Sequence, residues 1–303
     1  MRLFITGASG FLGSAVTREA LARGHEIIAL SRSASPESAD GTGVTWVRGD
    51  IRRPETWRDQ LAGSDAVIHL AASLDGAADD QLAVAVDGTR ALVDAMADAG
   101  VERLVHISSL AVYDLAALDI GDLVDETTPI EVDPARRDGY TAAKLAQDVE
   151  ARRAPSVVLL RPGLLWDRDH HWNGGAALGL AGRLGVTIAP RARPPLCHVD
   201  DCARAVVTAA ERPDVTGAID LVDPAAPDRR TFAANLRAEG VDLPPSIPVA
   251  YGAVDAVARA AWALAGPLKL RNRLPGLLRP AQLAARAKPL RYSSTRARDL
   301  LDW

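Results

Sequence analysis

The segment Leu3-Phe4-Ile5-Thr6-Gly7-Ala8-Ser9-Gly10-Phe11-Leu12-Gly13 constrains this chain more than any other. A short apolar run, sized for one buried strand, breaks into three glycines, and a helical pattern follows through Val16, Ala20 and Leu21. A strand that turns directly into a helix leaves the first N–H groups of that helix without intrahelical partners. Together with the helix dipole, those groups favour a phosphate. One glycine permits the turn, one lets a diphosphate approach, and one lets helix and strand pack closely. The spacing G-x-x-G-x-x-G is a variant of the dinucleotide fingerprint G-x-G-x-x-G.

The rest of the chain has the rhythm that such a site needs. Strands are expected at Arg2–Thr6, Glu26–Leu30, Val44–Arg48, Ala66–Leu70, Leu104–Ile107 and Val157–Leu160. Helices are expected at Phe11–Arg23, near Pro54–Ala62, at Leu82–Ala99 and at Tyr140–Arg152. Alternating strands and helices imply right-handed βαβ units, hence an α/β fold with a Rossmann-type, doubly wound parallel sheet. After Pro162 proline and glycine become frequent. Helices are expected at Asp200–Glu211, Thr231–Glu239 and Val254–Leu264 and a strand at Ala218–Val222, whereas the basic stretch Lys269–Pro289 shows no clear periodicity. The predicted division is a dinucleotide-binding domain over 1–162, with segments returning from the later chain, and a smaller C-terminal α/β substrate lobe over 163–303. Pro36–Gly43 and Ala116–Arg137 read as long connections over a site.

Composition removes several function classes. The net charge of −4 is spread over interspersed signs, so neither nucleic acid nor an anionic membrane is an expected partner. Ala253–Ala265 is too short to span a bilayer and carries Asp255 and Arg259. Met1-Arg2 leads straight into a strand, which leaves no room for a signal peptide and gives a cytoplasmic expectation. Cys197 and Cys202 read as two buried thiols, and no metal site is expected. Asp167-Arg168-Asp169-His170-His171-Trp172 reads as a loop at a substrate mouth, with Trp172 touching substrate.

The cofactor is read from the end of the second strand, Ala29-Leu30-Ser31-Arg32-Ser33. An acid there would hold a ribose 2′-hydroxyl; Arg32 instead pairs with a 2′-phosphate, which favours NADP, with NAD the alternative. Asp50-Ile51 is placed to bracket the adenine. Ala71-Ala72, after Leu70, gives the small side chains needed beside a cofactor.

Tyr140 and Lys144 stand four apart on an expected helix and so share one face. A lysine ammonium beside a tyrosine lowers the phenol pKa, so that the phenol exchanges a proton with a carbonyl or hydroxyl oxygen during hydride transfer. Lys144 is also placed to bond the nicotinamide ribose. Ser108 and Ser109 end the fifth strand, where hydroxyls face a ligand crevice.

These motifs together resemble the extended short-chain dehydrogenase/reductases, the NAD-dependent epimerase/dehydratase family. The resemblance rests on Thr6-Gly7-x-x-Gly10-x-x-Gly13, Asp50, His69-Leu70-Ala71-Ala72, Ser108-Ser109-x-x-Val112-Tyr113, Tyr140-x-x-x-Lys144, Arg161-Pro162-Gly163 and His198-Val199-Asp200-Asp201, with Ser294–Trp303 like the family's C-terminal segment. It implies Ser109 as the catalytic hydroxyl, Tyr140 as acid/base and Lys144 as its partner, with Pro162 and Gly163 near the nicotinamide. One departure is Ala85, where the family usually has Asn.

The lobe after 163 decides the substrate. Leu178, Leu180, Leu184, Val186, Ile188 and the run Val249–Leu264 make it strongly apolar. It looks more like the hydroxysteroid-dehydrogenase and dihydroflavonol-reductase branch, which implies an NAD(P)-dependent oxidoreductase acting on a small apolar or aromatic ketone or alcohol. A sugar-nucleotide epimerase is the alternative, with Arg191, Arg193, Arg230 and Arg291 as candidate diphosphate ligands. A non-catalytic NADP-sensing or interaction protein is the third. Two chains are expected to pair through the helices at 82–99 and 140–152.

Overall fold

The computed structural model describes residues 1–32, 43–71, 78–171, 178–180 and 184–303. Seven strands form the central sheet: β1 (Arg2–Thr6), β2 (Glu26–Ser31), β3 (Val44–Arg48), β4 (Ala66–His69), β5 (Arg103–Ile107), β6 (Ser156–Pro162) and β7 (Gly217–Leu221). Their order is β7-β6-β5-β4-β1-β2-β3, and every neighbouring pair is parallel. The expected doubly wound sheet is therefore present. Its order reverses between β1 and β4, so the crevice at the carboxyl ends of those strands is where such a sheet takes ligands.

The inner strands are largely apolar, buried runs because both faces are covered. On one face α1 (Phe11–Ala22) packs against α4 (Val199–Glu211), and Val16, Ala20, Val206 and Ala210 meet Leu3, Ile5 and Ile68. On the other, α2 (Ala78–Ala99) packs against α3 (Gly139–Ala151), and Leu92, Met96 and Ala151 meet Phe4, Val67 and Leu104. Alternate residues of one strand thus feed two cores, as the strand period requires.

The helix expected near 54–62 is instead two 3₁₀ turns, Pro54–Thr56 and Arg58–Leu61. Trp57 between them sits at φ −144°, outside helical geometry, because its indole is buried and donates to the Asp50 carbonyl at 2.9 Å. Anchoring that ring outweighs the local helical pattern.

Beyond β6 the chain both builds new structure and returns to the sheet. β7 forms its edge, and α8 (Thr295–Leu301) inserts Ala297 and Leu301 into the core shared by α1 and α4. The remainder carries short strand pairs, Leu164–Trp166 with Leu196–His198 and Leu184–Ile188 with Ser246–Val249, plus α5 (Arg229–Ala238), α6 (Tyr251–Ala265) and α7 (Pro280–Ala287). The stretch 269–289 therefore does hold a helix, opened by Pro280 in its first turn, where proline's missing N–H costs nothing.

Candidate active site

The three opening glycines occupy three different environments. Gly7 has φ +75°, and a Cβ there would lie 2.8 Å from the Ala71 nitrogen, so the turn and the close pass of the Leu70–Ala71 backbone both demand glycine. A Cβ on Gly13 would lie 2.0 Å from the Gly7 carbonyl oxygen, so α1 can rest on this loop only without a side chain. Gly10 is the N-cap of α1, where no side chain caps the helix and no acid stands in its first turn. The leading N–H groups of Phe11, Leu12 and Gly13 thus have no intrahelical acceptor.

Gly7, Gly10, Arg32, Asp50, Ile51, Leu70 and Ala71, all singled out by sequence, line one cleft. Thr6, Ser9, Ser31 and Val84 line it too, though the sequence assigned none of them a binding role. Their signal is position alone: each lies within a few residues of a glycine turn, a strand end or the start of a crossover helix. Asp50 does not present a free carboxylate. Arg52 bonds it through Nε (3.1 Å) and Nη2 (2.7 Å), and those bonds hold its pKa below the ordinary value. The Phe11 ring turns to the His170 ring at 4.1 Å, and Leu12 is buried. Ala72, Ser33 and Trp172 lie outside the described residues. Asp167 holds the 167–171 turn through His170 Nδ1 at 2.9 Å, and no cluster that suits a metal occurs among the described residues.

The second group sits where β5 ends. Ser109 is buried, and its Oγ accepts from the Ala111 N–H at 3.1 Å, which fixes the turn that aims it. Asp138 caps α3 by accepting from the Thr141 N–H at 2.9 Å, which sets the first turn carrying Tyr140. Ser109 is near enough to Tyr140 to act on its phenol. Burial nevertheless pushes the Tyr140 phenol up, with Ser109 pulling it down and Asp138 and Asp148 adding to the rise.

The expected lowering of that phenol by Lys144 is not what this geometry gives. The Lys144 ammonium donates to the Ile107 carbonyl at 2.8 Å and to Gln147 Oε1 at 3.0 Å, and burial dominates the Tyr140 phenol. Burial brings Lys144 itself down to about 8, with Asp148 opposing. The shared helical face is real, but burial outweighs the lowering expected for the phenol, while the ammonium is held by two acceptors.

Gln147 connects the two groups. Its amide donates to the Ala71 carbonyl at 3.0 Å while its oxygen accepts from Lys144. It stands one turn beyond Lys144, a spacing that was legible, but a glutamine three after a lysine carries no motif. Beneath it, His69 bonds Thr6 Oγ1 (2.7 Å) and Thr89 Oγ1 (2.9 Å), joining β1, β4 and α2. Burial, with His106 and Lys144 beside it, drives His69 well below its ordinary pKa, so it is neutral. Ala85, in place of the usual Asn, is buried in α2.

A further buried chain lies alongside. Burial works against ionisation of Asp148, yet His106 (3.3 Å), Ser108 Oγ (2.9 Å) and Arg161 (3.8 Å) hold it below the ordinary carboxylate value. Arg161 also donates to the Tyr113 hydroxyl, which donates to Asp220, each at 2.8 Å. Ser108 thus bonds Asp148 and does not line the first cleft. Pro162 ends β6, and a Cβ on Gly163 would lie 2.0 Å from the Pro195 carbonyl oxygen, so that glycine answers first to packing. Arg191, Arg193 and Arg291 gather in another cleft with Val222 and Tyr292, which Arg230 does not line.

Known proteins resemble this chain in sequence over part of its length and in fold over the whole. A 2-alkyl-3-oxoalkanoate reductase of Stenotrophomonas maltophilia is 34% identical over 170 residues, which are 55% of this chain and 51% of that one. A 3-beta-hydroxysteroid dehydrogenase of Mycolicibacterium neoaurum is 34% identical over 181 residues, covering 55% and 48%. This chain therefore spans about half the length of the curated relatives it matches. A short-chain dehydrogenase/reductase superfamily protein from Agrobacterium tumefaciens, solved with bound NAD, superposes with a TM-score of 0.71 at 19% identity, covering 100% of this chain and 92% of its own. The NAD dependent epimerase/dehydratase family model matches residues 3–163, more than half of the sequence. The chain belongs to that family.

Proposed function

We propose that this protein is an NADP-dependent oxidoreductase that moves a hydride between the nicotinamide and a carbonyl or hydroxyl of a small apolar or aromatic substrate. The observation that carries this reading is Ser109 acting on the Tyr140 phenol at the end of β5, with Lys144 on the same helix bonded through Gln147 to the glycine-lined cleft. The cleft fits a dinucleotide because Gly7 and Gly13 leave space that a Cβ would fill, and because the uncapped start of α1 offers N–H donors. When bound, the dinucleotide supplies or accepts the hydride.

The chain's own residues do the rest. Ser109 Oγ holds the substrate oxygen, and the Tyr140 hydroxyl gives a proton to that oxygen in reduction and takes one in oxidation. Lys144, held by Ile107 and Gln147, brings a positive charge into a dry site, where it counts for more than in water. The relatives' names, an oxo-group reductase and a hydroxyl dehydrogenase, agree with this direction of chemistry. Incubation with NADPH and a panel of apolar ketones tests the reading: net NADPH oxidation is expected with some of them, and none with any would reject it.

Arg32 carries the preference for NADP, since it lines the cleft just past β2, whose carboxyl end carries no acid. Charge-assisted bonds to a phosphate contribute about 1.5–3 kcal/mol, so Arg32→Ala is expected to weaken NADPH binding by roughly 10- to 100-fold and to leave NADH unchanged. Equal loss for both dinucleotides in a titration would point to NAD.

A sugar-nucleotide epimerase is the second reading, favoured by the cleft that collects Arg191, Arg193 and Arg291. It predicts epimerisation of a nucleotide sugar with no net change in the dinucleotide. The homodimer reading stays with α2 and α3, where Val149 is 66% exposed beside the Arg153–Asp94 pair. Sedimentation is expected to show a dimer, and a monomer at micromolar concentration rejects it.

A further inference from the structure

Helix α6 is apolar on both sides. Tyr251, Ala258 and Ala265 are buried at seven-residue intervals, so one face is already packed. Its opposite face presents Ala253, Val257, Ala260 and Leu264 to solvent, with Val257 59% and Leu264 73% exposed. Leu268, 66% exposed, extends that surface past the helix end. A helix on a water-facing surface ordinarily carries polar residues there. The ion pair between Arg259 and Asp255 on α6, at 2.6 Å, does not interrupt the stripe.

Charge is segregated at the same place. From Ala256 to Arg298 the sequence has ten lysines and arginines and no acid, in a chain whose total is −4, leaving −14 on the rest. Lys269, Arg271 and Arg273 follow the helix directly and are exposed. Beside it a cleft brings Arg136, Arg259 and Arg279 around Trp262, whose ring lies under the Arg271 guanidinium at 5.0 Å. Guanidinium groups suit phosphate oxygens, and tryptophan suits the boundary between headgroup and hydrocarbon.

We propose that the outer face of α6, with the basic segment after it, docks this protein on an anionic phospholipid surface. The apolar stripe enters the headgroup region in the plane of the membrane, and the arginine cleft receives a lipid phosphate. The near-neutral total charge conceals this local separation, which is why whole-chain composition points away from a membrane. No helix among the described residues is long and apolar enough to cross one. The attachment is therefore to one leaflet, and it is independent of the hydride-transfer reading.

Flotation of the full chain with vesicles tests it, using phosphatidylglycerol mixed into phosphatidylcholine against phosphatidylcholine alone. Binding is expected only with the anionic lipid, weakening with added salt. Val257→Glu with Leu264→Glu, and separately Lys269→Glu with Arg273→Glu, are each expected to lower the apparent affinity about tenfold or more. Ile120→Glu, at another exposed apolar position, is expected to leave it unchanged. These side chains are exposed, so folding is not at issue, and circular dichroism of each variant checks that. Equal binding to both vesicle types overturns the proposal, as does anionic binding that neither double variant alters. A dimer that Val257→Glu with Leu264→Glu dissociates, without any lipid binding, would instead make the face a contact between copies. Retention on DNA in preference to the vesicles would likewise reject a lipid partner.

Discussion

Lys144 stands four residues after Tyr140 but directs two of its three donors elsewhere, to the Ile107 carbonyl and the Gln147 oxygen. Its contribution at the residue scale is therefore a fixed positive charge between the cleft and the Ser109–Tyr140 pair, and it persists only while the ammonium keeps its proton. Burial has brought that pKa to about 8. A lysine whose folded pKa is depressed is neutral above that value, so the charge is present below about pH 8 and lost as pH rises through it. The kcat of carbonyl reduction is expected to fall along that limb, and a profile flat from about pH 7 to 10 would show that the charge plays no part. The Tyr140 phenol, pushed up by burial, stays protonated across the same range and is thus set to donate.

At the scale of the element, the loop between β1 and α1 allows almost no variation. Gly13→Val puts atoms against the Gly7 carbonyl, where even a Cβ would lie at 2.0 Å. The expected outcome is a destabilisation of about 1–3 kcal/mol in denaturant unfolding, with dinucleotide binding lost. Gly252→Ala on α6 is the contrast, because nothing lies within 4 Å of the added carbon. It is expected to raise stability by about 0.5–1 kcal/mol. A Gly13→Val chain that binds NADPH normally would refute the packing role. This element was legible because a turn, an approach and a close packing leave only glycine. The inner strands were legible because both of their faces are buried. Elements held by single anchors were not: Trp57, fixed by its indole on the Asp50 carbonyl, split a helical pattern into two 3₁₀ turns. Gln147 and Asp148 were missed because their roles come from partners far away in sequence.

At the scale of the whole molecule, buried charge links the sheet to the later chain. Asp220 on β7 accepts from Tyr113, which accepts from Arg161 on β6. Burial, against the Tyr113 hydrogen bond, lifts the Asp220 carboxyl to about 7. Its folded pKa thus exceeds its unfolded value. Its contribution to stability is fully present below about pH 4 and is lost as pH rises through about 7. Asp220→Asn keeps an acceptor for Tyr113 and cannot ionise. The variant's Tm relative to the parent is expected to improve between about pH 5 and 8, and a constant difference over that span would contradict the assignment.

The central claim is that Tyr140 exchanges the proton that accompanies hydride transfer, and one comparison tests it most directly. Parent and Tyr140→Phe are titrated with NADPH and then assayed at saturating NADPH on a ketone that the parent reduces. The account predicts unchanged NADPH affinity and a loss in kcat of about 10²- to 10⁴-fold, the usual contribution of a positioned general acid. A Tyr140→Phe protein that binds NADPH and reduces the ketone as fast as the parent would contradict it.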